Sequence, residues 1–102
     1  MDVFDPMPTS TTSLSVSNAS ANTTISIPAA SPGSLTVRVY NSTTVAVFVE
    51  FGTSSTLAAS TSTSMPIPAG NVETFSIGSS TRIAGITASG SGTLYVTPGR
   101  GA

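Results

Sequence analysis

Met65-Pro66-Ile67-Pro68-Ala69-Gly70-Asn71-Val72-Glu73-Thr74-Phe75-Ser76-Ile77-Gly78 (residues 65–78) is the stretch on which the fold turns. Apolar Met65, Ile67 and Ala69 alternate as in a β-strand, with prolines between them. In an extended chain the N–H and C=O of one residue point to the same lateral side, and neighbours alternate. Pro66 and Pro68 therefore remove the donors from one side only. Such a strand pairs on its other side and belongs at the edge of a sheet. Ala69-Gly70-Asn71 is turn chemistry, and VETFSIG is expected to return as a strand.

Outward from this stretch the chain keeps the same grain. SLSVS alternates at Leu14 and Val16, and TTISIP at Ile25 and Ile27 before Pro28. ASPG (30–33) signals a turn, because Pro presets one backbone angle and Gly permits the next. LTVRVYN, TVAVFVEFG, RIAGITASG and GTLYVTPG complete the series. No segment sustains a helical period. The pattern predicts an all-β fold: a single antiparallel β-sandwich or small jelly-roll-like barrel of about eight short strands. Residues 1–12 read as an N-terminal arm and 13–102 as the sandwich domain.

Pairing can be carried one step further. Leu35, Val37 and Val39 share a face with Val45, Val47, Val49 and Phe51 if these runs form a hairpin. Val39 would then lie opposite Val47, Val37 opposite Val49, and Leu35 opposite Phe51. Asn41 and Val45 would close a turn over Ser42–Thr44. The other face would set Arg38 over Phe48 and diagonal to Glu50. Leu57–Ser64 reads as a loop or weak edge strand. A bulge at Gly85 would reconcile Ile83, Ala84 and Ile86 with two-faced alternation.

The 102 residues suffice for one modest core. Charged residues are 7% of the chain, against roughly 25% in ordinary soluble proteins. Ser and Thr make up about a third. Apolar content of 38%, grouped in alternating runs, argues for folding over disorder. The formal charge is −1, and Arg38, Arg82 and Arg100 are the only cations. That removes the electrostatic basis for nucleic-acid binding. No apolar run reaches membrane-spanning length. The start MDVFDPMPTS lacks the pattern of a secretory signal, so synthesis in the cytosol is expected.

Reactive chemistry is sparse. The chain has no His, Lys or Cys, so a nucleophile lacks its usual base and zinc its usual ligands. A carboxylate pair would require Glu50 and Glu73 to converge. An oxygen-rich calcium site would fall on Asp2 and Asp5. Neither is favoured; no enzyme activity, metal or cofactor is expected. Glycines in TASGSGTLYVTPGRGA lack the Lys of a phosphate loop. N-x-S/T sequons occur at Asn18, Asn22 and Asn41, as such a composition readily produces. Tyr40 and Tyr95 are the residues from which a sugar platform would be built.

From about Leu35 to Gly101 the chain resembles a type of small virion protein of tailed bacteriophages. The matching features are VRVYN followed by VAVFVEFGTSS, MPIPAGNVETFSIG, and RIAGITASGSGTLYVTPGRG. The resemblance implies a β-rich particle component, such as a capsid decoration (cement) protein or a head or tail accessory protein. The expectation is a decoration protein on the capsid exterior that binds the major capsid protein and itself. A homotrimer is favoured because icosahedral shells present local three-fold sites. Candidate contact residues are Val3, Phe4 and Met7 in the arm and Met65, Pro66, Ile67 and Pro68 at the edge. The alternatives are a host- or glycan-binding module of a head or tail fibre, and a bacterial surface-layer domain.

Overall fold

A computed structural model describes residues 5–6, 11–25, 35–78 and 80–100. Val3, Phe4, Met7, Ile27 and the ASPG turn lie outside the described residues. The described residues hold nine strands: β1 (Asp5–Pro6), β2 (Thr12–Val16), β3 (Ala21–Thr24), β4 (Leu35–Asn41), β5 (Val47–Gly52), β6 (Met65–Ile67), β7 (Val72–Gly78), β8 (Arg82–Thr87) and β9 (Gly92–Arg100). The second apolar run is strand only over β3, ahead of Ile25. Ile25 is nevertheless buried, and its N–H bonds to the Thr81 carbonyl at 2.8 Å.

The strands form two antiparallel sheets. In the first, β1 and β2 pair successively along β9, followed by β4 and β7; the second runs β3-β8-β5-β6. Each strand from β2 onward is followed by one on the opposite sheet, except β5, which is followed by β6 beside it. This alternation and these strand orders are those of an eight-stranded jelly roll. Leu14, Val16, Val37, Val39, Leu94 and Val96 point inward from the first sheet. Ile25, Val47, Val49, Ile67 and Ile83 meet them from the second side. Phe51 and Phe75 close one flank, with ring centroids 5.3 Å apart.

β4 and β5 are therefore not a hairpin. The inward faces expected for them are correct at Val37, Val39, Val47 and Val49. Their partners are different: β4 pairs with β7 and β9, and β5 with β6 and β8. Arg38 lies in register with Thr74 and Thr97, on the sheet opposite Phe48 and Glu50. The two apolar faces meet across the core instead of side by side. β7 likewise returns as a strand, but on the sheet opposite β6.

Asn41 braces two of these crossings. It continues the inward series of Val37 and Val39 and is fully buried at the end of β4. Its Nδ2 donates to the carbonyls of Val45 (2.9 Å), Ile67 (2.9 Å) and Pro68 (3.2 Å). Its Oδ1 accepts the Thr43 N–H at 2.9 Å and lies 2.7 Å from the Thr43 hydroxyl. Its main chain bonds to Asn71 and Gly70. One side chain thus ties the β4–β5 arch to the β6–β7 arch. Gly70, at φ 73°, takes the left-handed position of the Pro68–Asn71 turn.

The connections rely on hydroxyls. Ser17, Thr43, Ser54 and Ser60 each accept the N–H two residues on, at Ala19, Val45, Thr56 and Ser62. Short Ser and Thr side chains satisfy backbone groups that no ladder reaches. These turns pair backbone groups without using charge.

No bulge occurs at Gly85: β8 holds an unbroken register with both β3 and β5. Gly85 faces the core, where an added Cβ would stand 2.8 Å from Val16 Cγ1 and 3.3 Å from Leu94 Cδ1. Ala84 is fully buried on the other face. Its row neighbours Asn22 and Glu50 reach the 53–64 connection. Asn22 Nδ2 donates to the Ser55 and Leu57 carbonyls, and Ser64 Oγ to Glu50 Oε1 at 2.7 Å. Leu57–Ser64 is thus a loop that flanks the outer face of β8 at Ala84, which is why an apolar residue is buried there.

Candidate functional site

The β6 edge behaves as its prolines dictate. β6 has one partner, β5, with Val47 opposite Ile67, Phe48 opposite Pro66 and Val49 opposite Met65. The Ile25 N–H to Thr81 carbonyl bond fixes which residues of β8 bond toward β3. Alternation across β8 and β5 then turns Met65 and Ile67 toward β5 and Pro66 toward the open side. Met65, Pro66 and Pro68 are exposed, Met65 by 52%. Ile67 is a correction to the contact set: it is fully buried, because its inward face meets the opposing sheet. Pro66→Thr should leave monomer stability within about 0.5 kcal/mol while increasing self-association, read by light scattering during concentration. Unchanged association would remove the protective role assigned to the proline.

A second surface is the outer face of the first sheet. Register places Ser13, Tyr95, Tyr40 and Val72 in one row across β2, β9, β4 and β7. The tyrosine rings stack at 6.2 Å with a 19° interplanar angle; each residue is 41% exposed, and Val72 48%. The adjoining row carries Thr97, Arg38 and Thr74, with Thr11 Oγ1 2.8 Å from Thr97 Oγ1. Both tyrosines are visible in the sequence. Their juxtaposition is not, because it depends on β4 pairing with β9.

Arg82, Asn22, Glu50 and Asn41 are engaged in structure. Arg82 donates to Asn22 Oδ1 at 2.6 and 3.1 Å and to Thr24 Oγ1 at 2.8 Å. Glu50, on the outer face of its sheet, accepts from Ser64; Glu73 lies on the inward side of β7 at the edge of the other sheet. The two carboxylates do not form an acid–base pair. Asn41, the third sequon, is closed to modification in the folded chain by burial and by its bonds. Asp2 lies outside the described residues; among those searched, no group of three His, Cys, Asp or Glu could hold a metal ion.

Comparison with protein-family models, curated proteins and solved structures finds no match. No helix among the described residues is long and apolar enough to cross a membrane.

Proposed function

We propose that this chain is a non-enzymatic structural protein of a phage virion, a decoration protein that binds the outer capsid shell as a homo-oligomer. The observation that carries the reading is the jelly-roll strand order, an architecture shared by viral capsid domains, lectins and cupins. Its support is one of architecture and composition. The hydroxyl-rich, nearly uncharged outer face of the first sheet fits that use. Such a face docks on a protein shell without stripping water from ions. The resemblance of residues 35–101 to small phage virion proteins points the same way. Many weak contacts repeated around a symmetric shell give avidity without one large interface, and three copies at each local three-fold site is the stoichiometry expected.

The test is addition of the purified protein to expanded shells lacking it. Saturable, symmetric binding and a higher shell-rupture temperature are expected. No binding and an unchanged rupture temperature would overturn the reading. The stacked Tyr40–Tyr95 pair favours a second reading, a glycan- or host-binding module. There the isolated domain would bind cells or glycans, and Tyr40→Ala or Tyr95→Ala would abolish that binding.

A further inference from the structure

The two sheet edges on the β6/β7 side of the sandwich are built differently. β6 has three residues and a proline facing outward. β7 has seven residues, with no proline and no lysine. Its side remote from β4 is paired to no strand among the described residues. The Asn41 N–H bonds to the Asn71 carbonyl at 2.9 Å. This sets the phase of the β4–β7 ladder: Glu73 and Phe75 bond toward β4, opposite Val39 and Val37. Val72, Thr74 and Ser76 therefore turn their N–H and C=O groups to the open side. Their side chains lie on the exposed outer face.

We infer that β7 is a strand-addition site for a second copy of this chain, paired antiparallel about a two-fold axis at Thr74. The sequence is self-complementary in that register. Val72 meets Ser76 of the second copy, Thr74 meets Thr74, and Ser76 meets Val72. Each pair exchanges two N–H···O bonds. Centring on Glu73 leaves only two such pairs and sets the two Glu73 carboxylates directly opposite, which is unfavourable. At the Thr74 register, Glu73 instead lies opposite Phe75 of the second copy. The glutamate thus rejects that register, and centring on Phe75 also leaves only two such pairs, Thr74 with Ser76 and Ser76 with Thr74.

The result is one continuous sheet across two molecules. The second-sheet edges follow, because only residues 68–71 separate β6 from β7. The two β6 edges then face each other across the axis. Lacking donors there, they meet through Met65 and Pro66 side chains alone. The contact is two-fold, so on a shell it joins copies from neighbouring three-fold clusters. The inference stands on the sheet edge and does not depend on the virion reading.

The test compares the wild-type chain with Thr74→Pro by sedimentation and by hydrogen exchange. The Thr74 N–H takes no part in the β4 ladder, so proline there removes a donor only from the open side, as Pro66 does in β6. The wild type is expected at twice the mass of the variant, with Val72, Thr74 and Ser76 amides protected. In the wild type that protection falls on dilution, a readout that needs no variant. Equal masses with β7 amides unprotected at every concentration overturn the inference. So does a doubled mass that persists in folded Thr74→Pro.

Discussion

Replacing Asn41 by alanine is expected to cost about 4 kcal/mol, a large share of the roughly 5–15 kcal/mol that holds a small domain folded. The loss has a specific origin. Nδ2 serves the Val45, Ile67 and Pro68 carbonyls, and Oδ1 serves the Thr43 N–H. Alanine strands the Thr43 N–H and the Ile67 carbonyl at buried positions, while the Val45 carbonyl keeps the Thr43 hydroxyl and the Pro68 carbonyl keeps the Asn71 N–H; each stranded group costs about 1–3 kcal/mol. Asn22 is the control. Its Nδ2 also bonds two carbonyls and its Oδ1 accepts twice from Arg82, but the side chain is only half-buried and one carbonyl contact is exposed, so water can replace the lost bonds; Asn22→Ala should cost about 2 kcal/mol. Urea unfolding with an unchanged slope reports both values. A loss at Asn41 below that at Asn22 would show that the arches hold without their shared tie.

Gly85→Val should destabilise by about 3 kcal/mol through overpacking. The first added carbon alone would meet Val16 Cγ1 at 2.8 Å, Leu94 Cδ1 at 3.3 Å and Leu14 Cδ2 at 3.4 Å. β8 lies between β3 and β5, so its backbone cannot retreat without disturbing two ladders. The clash is side chain against side chain, which makes it repairable. Val16→Ala opens space at the nearest contact, and the double variant should be more stable than the two single losses predict by about 1 kcal/mol or more. Thermal or urea unfolding of the four proteins closes the cycle. Strict additivity would mean that Gly85 is required for some reason other than Val16.

Faces were more legible than partners. Alternation at Val37–Val39 and Val47–Val49 states which side chains go inward, and the structure agrees. Alternation does not say which sheet a strand joins. Two inward faces satisfy the same hydrophobic pattern side by side in a hairpin or stacked across a core. Asn41 held the missing signal: it occupies the next inward position after Val39, where a plain turn residue would face water. The edge character of β6 was legible because proline acts locally and removes a donor whatever the tertiary context. The Ile83-Ala84-Gly85-Ile86 run suggested a bulge, since the cover supplied by the distant 53–64 loop leaves no local mark. Ile67 reads as a contact residue with Met65 in the sequence, because strand alternation says little about depth at an edge, and it is fully buried. For the candidate site, Tyr40 and Tyr95 were identifiable one by one, and only the β4–β9 register brings them into one row.

The strand order also bears on how the molecule comes into being. β9 follows every other described strand in the chain, yet it lies between β2 and β4 and is needed by both. β8, the second latest, likewise separates β3 from β5. During synthesis at roughly 5–20 residues per second, the earlier strands emerge with no neighbour to complete either sheet. Only the β5–β6 and β4–β7 ladders can close before β8 and β9 arrive; every other ladder waits for them. A growing chain of this kind keeps both sheets incomplete until β8 and β9 have been made. Such long-range closure belongs to the slow, millisecond-to-second class of folding. An arrest of translation just before Gly92 would therefore leave a protease-sensitive nascent chain, although eight of the nine described strands had already been made.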